Sequence, residues 1–194
     1  MLAWEKIKFG GYDWLVLEEK DDKALLLSEK IIEKRPYSAK REGVTWFECD
    51  LRKYLNNVFY NSFDEQDKMR ICKTRIKNND NFWFETKGGV DTFDRIFLLS
   101  IGEVVRYLGD NGRLDEYAYK KDTHYDIYYL DDNYNAERVA EDLAGKAAWW
   151  WLRSPGLYIN KAAIVADRLG WIEISGSAVH HRNGGVRPAL WLEL

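Results

Sequence analysis

Short strand-like segments separated by tight turns occupy the first thirty residues, and this pattern restricts the chain to folds that contain an antiparallel sheet. Gly10-Gly11 and Asp21-Asp22 form the turns. Turns of this composition between strand-like segments are typical of β-hairpins. We therefore predict an antiparallel meander whose strands are Trp4 to Phe9, Tyr12 to Glu18 and Lys23 to Ser28.

Two patterns of the capping-box type predict the main helices. In Thr45 with Glu48, and again in Ser100 with Glu103, a hydroxyl and a carboxylate are spaced to satisfy the unpaired amides at a helix start. The apolar residues that follow each pair recur at helical spacing. After the first pair they are Phe47, Leu51, Tyr54, Leu55, Val58 and Phe59, and after the second they are Ile101, Val104, Val105 and Leu108.

The rest of the chain contains patterns for further strands and for two weaker helices. The helices run from Asp64 to about Arg75 and from Ala136 to Ala144, and the strands are Asp94 to Ser100, Ala162 to Ala166, Trp171 to Ile174 and Val186 to Leu194. Alternation in the last strand predicts one buried and one exposed face. Apart from the helix at Ala136 to Ala144, residues from about 110 to 146 lack such patterns, so we predict a loop insertion there, within a single α+β domain spanning residues 1–194.

Charge, hydropathy and cysteine content exclude several classes of protein. The net charge of −3 provides no basic surface to neutralise phosphates, so we expect no nucleic-acid partner. No signal peptide or membrane-length apolar stretch occurs, so we expect no membrane insertion and a cytoplasmic location, unless the chain is trimmed or phage-borne. Cys49 and Cys72 are predicted to be buried free thiols. Nine Trp and twelve Tyr exceed the needs of a core and indicate a recognition surface.

Three groups of residues, in order along the chain, carry a resemblance to known domains. They are Thr45-Trp46 with residues 51–56, residues 96–100 with Glu103, and the tail segments Trp150 to Gly156 and Gly185 to Leu190. Together they resemble a bacterial family of uncharacterised domains. The tail also resembles the C-type-lectin-like superfamily, which includes formylglycine-generating-enzyme-like domains and proteins diversified by retroelements. The resemblance implies a C-type-lectin-like fold, in which the N- and C-terminal strands pair, two main helices flank antiparallel sheets, and long loops display a ligand surface.

The chemistry of the enzymatic relatives has few counterparts in this chain. The formylglycine-generating enzymes bind copper with two cysteines in the C-terminal part, whereas no cysteine follows Cys72. A three-histidine iron site could use only His124, His180 and His181. The acidic residues Asp122, Asp126, Asp131 and Asp132, with Asn133, could suit calcium or could be solvated loop residues, and they lack EF-hand spacing. We expect no metal and no cofactor.

Trp149-Trp150-Trp151 is the most unusual local feature of the chain. Successive side chains on a strand point to opposite faces, so at least one of these rings should enter the core and at least one should point elsewhere. All three could pack under the long loop, or some could contact a ligand. Arg153 and Arg187 could likewise pair with acidic groups or backbone carbonyls and so fix the loops.

A candidate ligand surface lies mainly between the two tail motifs. In the retroelement-diversified relatives the varying residues occupy this interval, and Tyr, Trp, Asn, Ser and Arg suit recognition surfaces. We predict a non-catalytic module, with no catalytic residue, that binds a protein or a glycan. Alternatives are an orphan enzyme on a formylglycine-generating-like scaffold, or an assembly domain of an envelope or phage protein. The predicted ligand-binding residues are Trp150, Arg153, Tyr158, Asn160, Trp171, Glu173, Ser175, His180, His181, Arg182 and Asn183.

Overall fold

Two sheets make up most of the fold in the computed structural model, which describes residues 4–109 and 128–194. In chain order the strands are β1 (Lys6–Phe9), β2 (Tyr12–Lys20), β3 (Lys23–Ser28), β4 (Glu33–Lys34), β5 (Thr74–Ile76), β6 (Thr92–Asp94), β7 (Ile96–Phe97), β8 (Tyr129–Leu130), β9 (Ala140–Glu141), β10 (Ala147–Ala148), β11 (Trp150–Pro155), β12 (Lys161–Val165), β13 (Ile172–Ala178), β14 (Gly185–Val186) and β15 (Ala189–Glu193). The helices are α1 (Asp50–Tyr54), α2 (Glu65–Arg70), α3 (Ile101–Tyr107) and α4 (Asn135–Arg138).

The larger of these sheets has six strands, in the order β4-β14-β11-β12-β13-β8, and the other has five, in the order β1-β2-β3-β15-β7. The strands β5 and β6 form a separate pair, as do β9 and β10. Helices and mainly antiparallel strands therefore occur together, which confirms the α+β class. Of the predicted insertion at about 110–146, residues 110–127 lie outside the described ranges, whereas residues 128–146 contain β8, α4 and β9.

The N-terminal meander is confirmed. Strands β1, β2 and β3 pair in antiparallel register, with Phe9 opposite Tyr12 and Lys20 opposite Lys23. The turn residues Gly10-Gly11 and Asp21-Asp22 have positive φ, as two-residue hairpin turns require. The turn composition therefore marked both hairpins correctly, although β2 continues two residues beyond Glu18.

The predicted last strand, Val186 to Leu194, is in fact two strands that belong to different sheets. Val186 pairs with Glu33 in the six-stranded sheet, whereas β15 pairs with β3 and β7 in the five-stranded sheet. The chain crosses between the sheets at Arg187 and Pro188, and both of these residues are buried. The predicted alternation of buried and exposed residues is therefore wrong at the crossing. The C-terminal strand does join the N-terminal meander, but it pairs with the third strand of the meander and not the first.

Strand β11 lies inside the six-stranded sheet and is covered on both faces. All six of its residues are buried. It pairs antiparallel with β12 and parallel with β14, through Trp150 and Gly185. The other pairs of named strands are antiparallel, as predicted, so β11 with β14 is the exception among the described residues. Burial on both faces decides where several of the predicted ligand-binding residues lie.

Helix α1 begins later than its sequence pattern predicts. Cys49 is the N-cap, and its sulfur accepts a hydrogen bond from the Arg52 amide at 3.3 Å. Thr45 and Glu48 lie in the preceding turn, so the prediction that they cap the helix is wrong. The helix continues through a π-turn (Leu55–Phe59) and a 3-10 turn (Tyr60–Ser62). Leu51, Leu55 and Phe59 are buried as expected, but Phe47 and Val58 are 48% and 64% exposed.

The other helices agree with the sequence to different degrees. The second capping box is confirmed, because the Glu103 amide donates to the Ser100 hydroxyl at 3.2 Å and the Ser100 amide donates to the Glu103 carboxylate at 2.7 Å. Helix α2 is shorter than predicted, and past its end the Cys72 amide bonds the Trp191 carbonyl at 2.8 Å. Helix α4 is also shorter, because Ala140–Glu141 forms β9. In the described ranges no helix has both the length and the apolar character needed to cross a bilayer.

One continuous apolar cluster draws side chains from both large sheets, α1 and α3. Four tryptophans are almost completely buried, namely Trp14, Trp46, Trp150 and Trp151. Much of the tryptophan content therefore serves the core. Neither cysteine forms a disulfide; Cys49 is buried and Cys72 is only partly buried. Burial raises the pKa of the Cys49 thiol to about 12, so this thiol stays protonated at neutral pH.

Gly176 provides a stability prediction within β13. Its φ is +72°, and a Cβ there would collide with the Ala162 carbonyl of the neighbouring strand. Gly176→Ala is expected to lower the free energy of unfolding by about 3 kcal/mol, since backbone strain and the clash both contribute. Gly11→Ala is the matched control, because Gly11 has φ +81° and no atom within 4 Å of an added Cβ. Strain alone should cost about 1 to 2 kcal/mol there. Equal losses in urea denaturation would contradict the clash.

Candidate functional site

The hairpin of β12 and β13 divides the predicted ligand-binding residues between its two ends. Lys161 lies opposite Ala178 and Val165 lies opposite Ile172, so the ends are roughly 13 Å apart along β12 at a strand rise of about 3.3 Å per residue. Trp171 and Glu173 lie near the connecting turn, which we call the turn end. At the other end, the loop end, lie Tyr158, Asn160, His180, His181, Arg182 and Asn183.

Trp150, Arg153 and Ser175 are interior residues and belong to neither group. They are 0%, 5% and 7% exposed. The Trp150 indole N–H donates to the Arg138 carbonyl at 3.1 Å, and the Ser175 amide donates to the Tyr128 carbonyl at 3.1 Å. We therefore leave these three residues out of the candidate surface and assign them to the framework beneath it.

Arg153, which is almost completely buried, forms an ion pair with Glu103, whose side chain is 28% exposed. One guanidinium nitrogen, Nη2, donates to Glu103 Oε1 at 2.9 Å, while Nη1 donates to the other carboxylate oxygen and, at 2.7 Å, to the Leu98 carbonyl. Nη2 also donates to the Lys77 carbonyl at 3.1 Å. Arg153 thus ties β11 to the segment before α3 and to the chain after β5.

The ionisation of Glu103 reflects this environment. Burial favours the neutral acid, but the charge of Arg153 and hydrogen bonds from Arg153 and Ser100 outweigh burial and hold the pKa of Glu103 below its ordinary value of 4.5. The carboxylate is therefore ionised at neutral pH. Its stabilising effect is fully present above about pH 4.5 and is lost as the pH falls through the lower pKa of the folded protein.

The lowered pKa of Glu103 leads to a prediction of how stability depends on pH. The wild-type chain is expected to lose more unfolding free energy between pH 7 and pH 3 than Glu103→Gln, because the variant has no carboxylate to protonate at this site. Urea denaturation at a series of pH values measures the difference. Parallel curves for the two proteins would show that Glu103 has the same pKa when folded and unfolded.

The loop end presents exposed side chains on a backbone held by hydrogen bonds. The Val44 amide donates to the Ile159 carbonyl at 3.0 Å. The Ser38 amide donates to the Val179 carbonyl at 2.9 Å, and the Val179 amide donates to the Asn160 backbone carbonyl at 3.0 Å. The His181 ring lies 2.8 Å from the Ser177 hydroxyl. Tyr158 and Ile159 are 61% and 40% exposed. His180 is half-buried, and the residues 160 and 181–183 are exposed.

A cleft of about 610 Å³ adjoins the loop end. Ser38 and Val44, which bind the loop-end backbone, also line this cleft. Phe47 is exposed in it, with the Arg52 guanidinium 5.5 Å from the ring centre. The sequence pattern had assigned Phe47 to the core. We define the loop-end surface as this cleft, which includes Phe47, together with Ile159 and the six predicted residues at this end of the hairpin. The remaining lining residues are Lys40, Glu42, Gly43, Glu48, Asp50 and Lys53.

The turn end is an aromatic surface. The Trp171 ring stacks on Tyr129, with centroids 4.6 Å apart and planes inclined by 26°. Tyr128, 46% exposed, stacks with Phe84 at 6.4 Å. Glu173 is half-buried beside them. The sequence does not reveal the tyrosines as partners of Trp171, since they lie far from it in the chain and carry no pattern of their own.

The residues considered for metal binding are only partly described. Asp122, His124 and Asp126 lie outside the described ranges. Asp131 and Asp132 accept hydrogen bonds at 2.6 Å from Asn135 and Arg138, respectively. The rings of His180 and His181 lie 5.5 Å apart. Within residues 4–109 and 128–194, no group of three or more His, Cys, Asp or Glu side chains is arranged to hold a metal ion.

Comparison with known sequences places the chain in a family. Residues 21–194 match the family described as "Domain of unknown function (DUF6273)", and this stretch contains all the segments on which the resemblance to uncharacterised domains rests. No curated protein and no solved structure matches the chain. Nothing in these comparisons connects it with the C-type-lectin-like superfamily. The chain belongs to the DUF6273 family of domains of unknown function.

Proposed function

We propose that the chain is a non-catalytic recognition module of C-type-lectin-like architecture that binds a protein or a glycan through the loop-end surface. The observation that carries this proposal is the exposure of Phe47 in the cleft and of Tyr158 and Ile159 on the adjoining segment, which is hydrogen-bonded to the cleft wall through Val44. Recognition surfaces combine rigid aromatic area with adaptable polar groups in this way.

The rigidity of the loops supports this function energetically. Binding costs free energy when loops and side chains must become ordered. At the loop end, the backbone bonds from Val44 to Ile159 and from Val179 to Asn160 already hold the loops. A smaller part of the loop backbone therefore remains to be ordered when a ligand binds.

The cleft is of a suitable size and charge for a polar partner. Small-molecule and sugar-sized ligands commonly occupy cavities of about 300 to 1,000 Å³, and this one measures about 610 Å³. Its lining contains both cationic and anionic side chains, including Lys40, Arg52, Glu48 and Asp50. Such a lining suits a hydroxyl-rich or mixed-charge surface.

The lectin-like part of the proposal is supported by the pairing of β15 with β3, which joins the two ends of the chain in one sheet.

A binding screen followed by footprinting tests the proposal. The full chain is applied to glycan and protein arrays, and hydrogen exchange is measured with and without each detected partner. The expected result is slower exchange at residues 40–47, 157–160 and 179–183. No binding on both the glycan array and the protein array would contradict the proposal. Protection confined to the turn end, at Tyr129 and Trp171, would contradict the proposed surface.

A further inference from the structure

Among the residues that the structure describes, Arg187 differs from the other buried arginines because it has no carboxylate partner there. Arg138 is fully buried and pairs with Asp132 at 2.6 Å, and Arg153 pairs with Glu103. Arg187 is only 2% exposed, yet in the part of the chain that the structure describes it forms no ion pair. A buried cation without a partner is costly.

The guanidinium of Arg187 has unused donors at one end. Its Nε donates to the Ser28 carbonyl at 3.0 Å and its Nη2 to the Glu29 carbonyl at 3.4 Å. Nη1 is buried and has no hydrogen-bond partner among the described residues. Because a guanidinium has five N–H donors, both donors of Nη1 and one of Nη2 remain for another acceptor. The ring of Trp150 lies 5.0 Å from the guanidinium carbon and limits its movement.

Arg187 keeps its charge in this position. Burial lowers the pKa of Arg187 to about 10, partly offset by the negative charge of Glu29. A group with that pKa is still protonated at neutral pH. Arg187 is therefore a buried cation.

Arg187 lines a cleft of about 490 Å³. The two lysines of the cleft are matched by carboxylates, since Lys6 pairs with Glu29 at 2.5 Å and Lys30 lies 4.0 Å from Glu141. Glu137 is also part of the lining. The apolar lining residues are Trp4, Leu15, Ala136, Val139 and Ala140. The cleft therefore combines an apolar wall with one buried cation that has no bound carboxylate.

We propose that this cleft binds a small ligand through an oxyanion, a carboxylate or a phosphate group, that pairs with the free end of the Arg187 guanidinium. The apolar part of the ligand lies against Trp4, Leu15 and Val139. Paired N–H groups at the end of a guanidinium match the two oxygens of such a group. None of the lining residues belongs to the loop-end surface, so this second site stands or falls independently of the proposed function.

The test is a titration of the full chain, labelled with ¹⁵N, with inorganic phosphate and separately with benzoate, at constant ionic strength. Benzoate supplies a carboxylate with an apolar ring. The expected result is a saturable shift of the Arg187 Nε–H signal with at least one anion. Arg187→Met should weaken that binding at least about tenfold, because a charge-assisted hydrogen bond is lost. The same change at the exposed Arg168, outside the cleft, should leave it unchanged.

Each outcome decides the proposal or refines it. Saturation with phosphate alone assigns a phosphate ligand, and saturation with benzoate alone assigns a carboxylate. A shift that grows linearly with both salts, or equal affinities of wild type and Arg187→Met, would overturn the site. If the variant does not fold, the wild-type titration decides, because the Arg187 signal is observed directly.

Discussion

Replacing Glu103 with Ala is expected to lower the free energy of unfolding by about 3 to 5 kcal/mol, because the change leaves the Arg153 guanidinium buried without its carboxylate. Arg153 is 5% exposed, and Glu103 also accepts the Ser100 amide at 2.7 Å as part of the α3 cap. The same substitution therefore removes an ion pair and half of a capping box. Urea denaturation followed by circular dichroism measures the loss.

A matched control separates burial from the mere loss of an ion pair. Glu65 pairs with Lys68 at 2.5 Å but its side chain is 87% exposed, so Glu65→Ala should cost less than about 1 kcal/mol. The double variant Glu103→Ala/Arg153→Met should lose less than the sum of the two single losses, since the partners act together. Additive losses, or a loss at Glu103 as small as that at Glu65, would contradict a buried ion pair.

Trp150→Ala is expected to be similarly destabilising, by about 3 to 5 kcal/mol, because it opens a large cavity in the core. Trp150 has no exposed surface, its indole bonds the Arg138 carbonyl, and the Arg187 guanidinium lies over its ring. The variant thus loses apolar burial and a hydrogen bond at once. Thermal and urea unfolding both measure the effect.

Trp171→Ala is the corresponding control on the same sheet. Trp171 is half-buried and packs against Tyr129 at the surface, so water can fill the space that its ring leaves. A clearly smaller loss than at Trp150 is expected. Equal losses at the two positions would show that Trp150 is less buried in solution than its position within β11 implies.

Local chemistry made the meander and the α3 cap predictable. Turn residues with positive φ and a hydroxyl three residues before a glutamate act over a few residues, so the sequence alone carries the signal. The first capping box failed for two reasons. The Leu51 amide bonds the distant Tyr37 carbonyl at 3.1 Å, a contact with no local signature. The sulfur of Cys49 takes the cap locally, although cysteine is not among the residues usually expected at an N-cap.

The candidate site was predictable only in part, because some of its features follow from the local sequence and others from tertiary packing. The interval between the tail motifs does contain the exposed loop-end residues, but strand β11 is covered on both faces, which placed Trp150 and Arg153 inside. The change of sheet at Pro188 buried Arg187. Tyr129 meets Trp171 and Phe47 faces the cleft through tertiary packing, which periodicity along one segment does not encode.

Recognition at the loop end is tested most directly by the affinity of Tyr158→Ala/His181→Ala for a partner found on the arrays. Met69→Ala serves as the control, because Met69 is 75% exposed on α2, outside the loop-end surface. Both variants should retain wild-type thermal stability. The double variant is expected to bind at least about tenfold more weakly, as substitutions at the centre of an interface do, while the control binds as the wild type does. Unchanged affinity in a folded double variant would contradict recognition through this surface.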